Sequence, residues 1–458
     1  MENSTTHHEI VEKVDRARTA MESIVGYDQD QALDLVRAVA RLAIDNAERW
    51  GRIVLDETGM GNVESKTNRT RTRARGLLRD YLSARTVGVI EEDTALNLLK
   101  IGKPVGVVAS VVPTTVPEGV VFMGAMNALL GRNAMICSPH PRAKVSTARV
   151  VEDIRELLSS RGLPADLLQV ITEPSLEHTN HLMAQSDLVV ATGGAGMVRA
   201  AYSSGTPAYG VGAGNSVAVV DRGADLHHVA SELRDSQMSD YAIGCSTENA
   251  VVLLDEEYDA GLQAMKETEA HVCTSDEKRR LQDALFAGGH LNADLICRSA
   301  ETIAEAAGIA VPAGTNWLVV EEDGVGAEHP FSGEKLSVVV AAYRSNSFED
   351  SIELVNRIHA YSGAGHSCGV YSDSREHVLE FAERTFTTRV AVNQATTKSN
   401  AGGWTTGMPF TINLGCGTWG GNVLSANVTW REYINTTWVA SPVEPVIPDD
   451  DVLFGHVA

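Results

Sequence analysis

Val105-Gly106-Val107-Val108-Ala109-Ser110-Val111-Val112 decides the fold. The run is rich in β-branched residues and has no polar alternation, so it reads as a strand buried on both faces, as in a parallel sheet. Pro113 and Pro117 close it, and residues 118–130 can form a helix. The alternation then repeats, with strands at 134–137, 168–171, 187–191 and 216–220 and helices at 144–160 and 177–184. Strands alternating with helices predict a doubly wound parallel sheet with ligand sites at the carboxyl ends of its strands. A second α/β series follows Cys245, with strands at 250–254, 317–320, 337–343, 368–371 and 389–393. Upstream, residues 9–23 and 28–56 carry apolar residues at helical spacing. Residues 66–81 form a basic helical stretch, read as a solvated face. Residues 85–99 look like an exposed hairpin, 428–439 return to strand-like composition, and the chain from Pro442 reads as an exposed extension.

The length of 458 residues predicts two or three compact units, and 43% hydrophobic with 21% charged residues fits a soluble globular protein. A net charge of −22 argues against nucleic acid and against an anionic membrane as partners. The amino terminus has no secretory pattern, and no stretch is long and apolar enough to span a bilayer. The cysteines at 137, 245, 273, 297, 368 and 416 are scattered without a Cys-x-x-Cys pair. They predict a reduced, cytoplasmic protein without a metal site.

Four segments could carry chemistry. Ala191-Thr192-Gly193-Gly194-Ala195-Gly196-Met197 follows a buried strand and opens a helix, where glycines let backbone amides approach a phosphate. It departs from the dinucleotide fingerprint at Arg199, so alone it is a weak signal, and a tight strand–helix turn is the plainer reading. Gly210-Val211-Gly212-Ala213-Gly214 precedes a strand and reads as close backbone approach. Ser138-Pro139-His140-Pro141-Arg142 ends the second strand, with His140, Arg142 and Lys144 where a nucleotide would lie, although a solvated turn with helix-start charges explains the segment equally. In Tyr241-Ala242-Ile243-Gly244-Cys245-Ser246-Thr247-Glu248-Asn249 a glycine precedes the thiol and a strand follows, an arrangement that suits a thiolate nucleophile with amide donors. From spacing alone, a buried structural cysteine fits this loop better.

Taken in order, further pieces make the pattern specific. Val112-Pro113-Thr114-Thr115, Ser138 to Lys144, Ala191 to Met197, Ala201-Tyr202-Ser203-Ser204-Gly205, Gly210 to Asn215, the Cys245 loop, Glu334-Lys335-Leu336-Ser337, Gly365-His366 and Leu414 to Gly420 together resemble the coenzyme A-acylating branch of the aldehyde dehydrogenase superfamily. The resemblance implies an α/β aldehyde dehydrogenase-like fold: two doubly wound Rossmann-like domains plus a β-strand oligomerisation arm. Residues 1–80 and 105–225 would form the NAD(P)-binding domain and 226–425 the catalytic domain. Residues 81–104 and 426–445 would form the arm, and 446–458 a tail. Cys245 would be the nucleophile, Thr115 would stand beside the oxyanion, and His366 would lie near the acyl-thioester. Ser138, His140, Arg142, Thr192, Gly193, Gly194 and Glu334 would hold the cofactor, with Glu334 on the nicotinamide ribose.

Pro141 and Arg142 leave NAD and NADP both open; coenzyme A is the implied co-substrate. Two departures stand out. Val116 replaces an Asn of the related pattern, and residues 210–214 hold no carboxylate where the hydrolytic branch has its base. Without that base a thiol acceptor should outcompete water. The alternatives are a hydrolytic aldehyde dehydrogenase or a silent nucleotide-binding protein on the same fold. For the aldehyde, Thr114, Lys398 and Thr405 are the candidate contacts, within a polar stretch at 393–406. They point to a small anionic aldehyde such as sulfoacetaldehyde, with acetaldehyde the other candidate. A homodimer or homotetramer is expected from the arm.

Overall fold

The computed structural model describes residues 2–455; residue 1 of the expected first domain and residues 456–458 of the expected tail lie outside it. The chain opens with three helices, Glu2–Met21, Gln29–Thr58 and Val63–Tyr81. The second starts at a capping box between Asp28 and Gln31 and stops at Gly59 in the left-handed region. The exposed hairpin follows as β1 (Gly88–Asp93) and β2 (Leu98–Pro104), paired antiparallel.

The valine run becomes β3 (Val107–Val112), buried along its whole length. It heads a parallel sheet with β4 (Ala134–Pro139), β5 (Leu168–Val170), β6 (Leu188–Thr192) and β7 (Ala208–Val211) in the order β5-β4-β3-β6-β7. The order runs outward in both directions from the β3–β6 pair, so the loops leaving these two strands diverge and open a crevice. The strand β7, within a segment read as a glycine loop, was not expected from the sequence; Gly210 lies in it because a Cβ there would meet Val198 at 2.6 Å.

The second parallel sheet contains β8 (Ser216–Val220), β9 (Glu248–Leu254), β10 (Ala270–Val272), β11 (Trp317–Glu321), β12 (Val339–Ser345), β13 (Cys368–Tyr371) and β14 (Val390–Val392). Its order is β10-β11-β12-β9-β8-β13-β14. The sequence reading assigned residues 216–220 to the first series. In the structure β8 pairs with β9 and β13, so the handover between sheets falls between Val211 and Ser216, not after 225. Periodicity could not assign it, because a strand buried on both faces carries no mark of its neighbours.

Finally β15 (Ile434–Ala440) returns to β2 and completes the three-stranded arm β1-β2-β15. The strand starts later than expected because Trp430–Tyr433 is a 3-10 turn closed by a Thr429–Glu432 capping box. Each large sheet has its own apolar core. The described part of the tail is exposed, with a short helix at Asp450–Phe454. No helix among the described residues is long and apolar enough to cross a membrane.

The basic helix corrects the sequence reading. Lys66 is fully buried and Arg69 and Arg73 are part-buried. Lys66 Nζ donates to Asp240 Oδ2 (2.8 Å), and Arg69 donates to Asp240 (2.7 Å) and Glu118 (2.8 Å). Charge alone suggested solvent. The helical phase said otherwise, because positions 66, 70, 74, 77 and 81 form the buried stripe.

Candidate active site

Two sets of loops meet from opposite strand ends. The first sheet contributes its carboxyl ends: Pro113–Val116 after β3, His140–Arg142 after β4 and Gly193–Gly194 after β6. The second sheet contributes its amino ends: Gly212–Asn215 before β8, the Cys245 loop before β9, Glu334–Leu336 before β12 and His366 before β13. The carboxyl-end expectation therefore holds for the first sheet and is corrected for the second.

Between them lie two chambers. One, of about 280 Å³, contains Cys245, Ser246, Glu334, Arg69, Arg73, Thr397 and Ile412. The other, of about 550 Å³, is lined by Thr114, Ser138, His140, Arg142, Leu176 and Thr179. They share Pro113, Thr115, Thr192, Gly193 and Gly194, so a ligand in the second chamber reaches Cys245 across that seam.

The Cys245 loop is held from three directions. Asp240, Tyr241 and Ala242 all lie in the left-handed region, with φ of 59°, 55° and 58°. Asp240 anchors this turn by accepting from Lys66, Arg69 and the Asn62 amide (2.7 Å). Burial opposes its charge, yet Arg69 and Lys66 hold its carboxyl below the usual range. On the second side, Thr396 Oγ1 donates to the Ser246 carbonyl, and the Thr396 amide donates to the buried Glu248 carboxylate (2.7 Å). On the third, a Cβ at Gly214 would stand 1.8 Å from the Cys245 carbonyl oxygen. That is the close approach expected of the 210–214 glycines.

Five of the six thiols are buried, and Cys245 alone is partly accessible. His366 Nε2 lies 3.1 Å from Cys245 Sγ, while its Nδ1 is 2.7 Å from the Ser367 hydroxyl. The resemblance put His366 near the acyl-thioester; the structure sets its imidazole beside the thiol from 121 residues away. Burial, Arg389 and His359 lower His366 to about 3, so its imidazole is neutral. Burial, with Glu334 and Cys416, pushes the Cys245 thiol up to about 12, so it rests protonated. The buried Arg389 guanidinium braces the His366 segment by donating to the carbonyls of His366 (3.2 Å) and Gly415 (2.8 Å). No motif marks Arg389 in the sequence.

Glu334 Oε1 accepts from the Gly214 amide at 3.0 Å, and burial raises its carboxyl to about 7. It is the one carboxylate among the residues lining the Cys245 chamber. In the second chamber His140 Nδ1 accepts from the Arg142 amide (3.1 Å), and burial with the Arg142 charge lowers the imidazole's pKa. Ser138 is buried against Thr179, their hydroxyls 2.8 Å apart. The structure thus brings together Cys245, Thr115, Thr192, Gly193, Gly194, Glu334 and His366, with Ser138, His140, Arg142 and Thr114 in the adjoining chamber. It does not bring in Lys398 or Thr405. Lys398 Nζ is held by Glu232 (2.7 Å) and Asp235 (2.8 Å), and Thr405 is exposed, its hydroxyl 3.4 Å from Gln394. The polar stretch still reaches the Cys245 chamber through Thr397 and Ala401.

The seam fits a phosphate-bearing dinucleotide. The helix Ala195–Tyr202 starts at Gly194 with no side-chain cap, which leaves its first amides for a ligand. Thr192 Oγ1 is buried without a hydrogen-bond partner among the described residues. A Cβ on Gly194 or Gly212 would project into open space that the glycines keep free.

The model of the aldehyde dehydrogenase family matches residues 3–411 of the sequence. The chain belongs to that family. This aldehyde dehydrogenase is 40% identical over 448 residues to the acylating sulfoacetaldehyde dehydrogenase of Cupriavidus necator, covering 96% of this chain and 91% of that one. It is 36% identical to the acetylating succinate-semialdehyde dehydrogenase of Clostridium kluyveri, covering 95% and 96%. The crystal structure of an acetylating aldehyde dehydrogenase from Geobacillus thermoglucosidasius superposes with a TM-score of 0.93 at 32% identity, covering 98% of this chain and 100% of that one.

Proposed function

We propose that the protein is a coenzyme A-acylating aldehyde dehydrogenase, converting aldehyde, coenzyme A and NAD(P)+ to acyl-coenzyme A and NAD(P)H. One observation carries the reading. Cys245 lines the smaller chamber, across the shared seam from the larger one, with a neutral imidazole at 3.1 Å and with no carboxylate on the 210–214 loop to activate water. The names of the two curated relatives agree with it.

The Cys245 sulfur attacks the aldehyde carbon, and His366 Nε2 is in reach of the thiol proton as the C–S bond forms. With its imidazole lowered to about 3 and the thiol raised to about 12, proton movement is coupled to attack rather than preceding it. The Cys245 amide and Thr115 would face the oxyanion, each such donor being worth about 3 kcal/mol. A nicotinamide held at the seam would supply the acceptor for the hydride lost from the carbon bound to Cys245. Thr192, Gly193 and Gly194 would hold that cofactor, with Ser138, His140 and Arg142 on its adenosine half and Glu334 on the ribose next to Cys245. The thioester left on Cys245 is then attacked by the thiol of coenzyme A, and the Cys245 sulfur leaves.

The substrate we assign is a small anionic aldehyde, with sulfoacetaldehyde first. We assign a cytoplasmic homodimer or homotetramer, assembled through β15, whose outer edge is free in the arm sheet.

The test is a stopped-flow trace of the reduced cofactor, with NAD and NADP in parallel, combined with intact-protein mass spectrometry. Without coenzyme A, about one turnover per site and a stable acyl adduct on Cys245 are expected. Adding coenzyme A restarts turnover with acyl-coenzyme A accumulating. Sustained turnover without it, giving free acid, places the protein in the hydrolytic branch and overturns the reading.

A further inference from the structure

The basic helix leaves one charge unspent. Lys66, Arg69 and Arg73 share the face of Val63–Tyr81 that looks into the core. Lys66 and Arg69 meet two carboxylates, Asp240 and Glu118, so that cluster closes neutral. Arg73 stands four residues beyond Arg69, and among the described residues no carboxylate pairs with it. Its Nη1 donates to the carbonyls of Ala401 and Gly402 (2.9 Å to the latter), and its guanidinium lies 5.6 Å from the centre of the Phe410 ring.

These contacts fix the plane of the guanidinium but leave its charge uncompensated. Burial and the Arg69 charge lower its pKa only to about 10, so it stays cationic at neutral pH. A like-charged neighbour at i, i+4 and a position away from solvent both oppose that charge. Arg73 lines the chamber that contains Cys245. Nη1 is taken by carbonyls, while Nε and Nη2 have no hydrogen-bond acceptor among the described residues. Lys398, the cation that sequence favoured, is spent on Glu232 and Asp235 outside this chamber.

We propose that Arg73 is the specificity-determining residue of this enzyme: its guanidinium binds the sulfonate or carboxylate of a short aldehyde whose carbonyl meets Cys245. A planar guanidinium with its Nε and Nη2 edge free matches two oxygens of such a head group, and the chamber's low polarity strengthens the pair. Arg69, the other cation of this chamber, is already paired with Asp240 and Glu118, and Ser246 and Thr397 add only neutral hydroxyls. An arginine without a carboxylate, costly in the free enzyme, is satisfied when an anionic substrate arrives. The inference rests on the acylating reading, but concerns a different contact of the same site.

The experiment compares wild type, Arg73→Lys and Arg73→Met with sulfoacetaldehyde, succinic semialdehyde and the neutral propionaldehyde, each with coenzyme A and cofactor. For the wild type, kcat/KM should favour the anionic aldehydes. In Arg73→Met that preference should collapse by about a hundredfold or more, mainly through KM, as happens when one partner of a desolvated charge pair is truncated. Turnover of propionaldehyde should stay within about threefold, which also reports that the variant is folded. Arg73→Lys should fall between, since an ammonium keeps the charge but not the fork. As a second readout, 2-hydroxyethanesulfonate should inhibit the wild type competitively against sulfoacetaldehyde and lose that inhibition in Arg73→Met. Equal loss toward neutral and anionic aldehydes, or an unchanged ratio, overturns the role of Arg73 while coenzyme A-dependent turnover persists. Loss of coenzyme A dependence in the wild type would instead overturn the acylating reading.

Discussion

Replacing Asp240 by Asn should damage both stability and catalysis, and by amounts that can be worked out. The carboxylate neutralises Lys66, which is fully buried, and one arm of Arg69, and it accepts from the Asn62 amide. An amide of the same shape must give up either the Asn62 bond or the Lys66 and Arg69 bonds, and in both cases it leaves a buried ammonium without a counter-charge. Breaking a buried pair from one side typically costs about 3–5 kcal/mol. The same carboxylate anchors three successive residues in the left-handed region, Asp240 to Ala242, each strained by about 1–2 kcal/mol and ending three residues before Cys245. Released, the turn relaxes and moves the sulfur from His366; a displacement near 1 Å costs about a hundredfold in rate. Urea unfolding followed by tryptophan fluorescence, and the single-turnover rate without coenzyme A, measure the two effects. Adding Lys66→Met to Asp240→Asn should restore about 1–2 kcal/mol of stability but not the rate. A single variant within about 0.5 kcal/mol of wild type and with an unchanged burst rate would refute the reasoning.

Gly214→Ala should fold yet lose about a hundredfold or more in acylation, because its methyl would overlap the Cys245 carbonyl 1.8 Å away; single-turnover kinetics read this directly. Cys245→Ser should abolish aldehyde oxidation by more than about 10⁴-fold while cofactor affinity, measured by fluorescence quenching, stays within about threefold. Stability should fall in mild acid through His359, whose Nε2 donates to the Asn215 carbonyl and whose pKa burial lowers to about 4. The unfolded chain takes up that proton below about pH 6.5 and the native state does not, so this contribution is lost as pH falls from 6.5 toward 4. His359→Gln should flatten the slope of unfolding free energy against pH by up to about 1.4 kcal/mol per unit, read from urea midpoints between pH 7 and 5. An unchanged slope would show that His359 takes up protons equally in both states.

The alternation of strands and helices was legible because each element carries its own period: Val107–Val112 and Lys144–Ser160 lie where periodicity put them. Sheet membership was not, as β8 shows, since pairing partners leave no local trace in a strand of uniform valines. At the site, residues embedded in motifs such as Cys245, Thr192 and Glu334 could be named in advance. His366 was named too, but its distance to the thiol depends on a fold that joins positions far apart in sequence. Lys66 and Arg73 were misjudged because charge was weighed above helical phase, although their positions fall on the stripe that also holds Thr70, Ala74 and Leu77. Arg389 and Asp240 carry no signal at all: each matters through what it braces.

The opposed strand ends have an electrical consequence. On the first sheet's side three helices begin at the crevice, at Pro117, Lys144 and Ala195. On the second sheet's side three helices end just before the site loops, at Met238, Tyr361 and Arg384. Each amino end carries roughly half a positive charge and each carboxyl end roughly half a negative one. The seam therefore lies in a field that points from the 550 Å³ chamber toward Cys245. That field works against a resting thiolate, in keeping with the thiol's raised pKa. It also favours a pair of electrons leaving the carbon bound to Cys245 and travelling toward the Ser138–Arg142 side. With the cofactor placed as proposed, the protein's dipoles would be aligned with the transfer of hydride, and a rearrangement of either helix set would be felt first in the rate of that step.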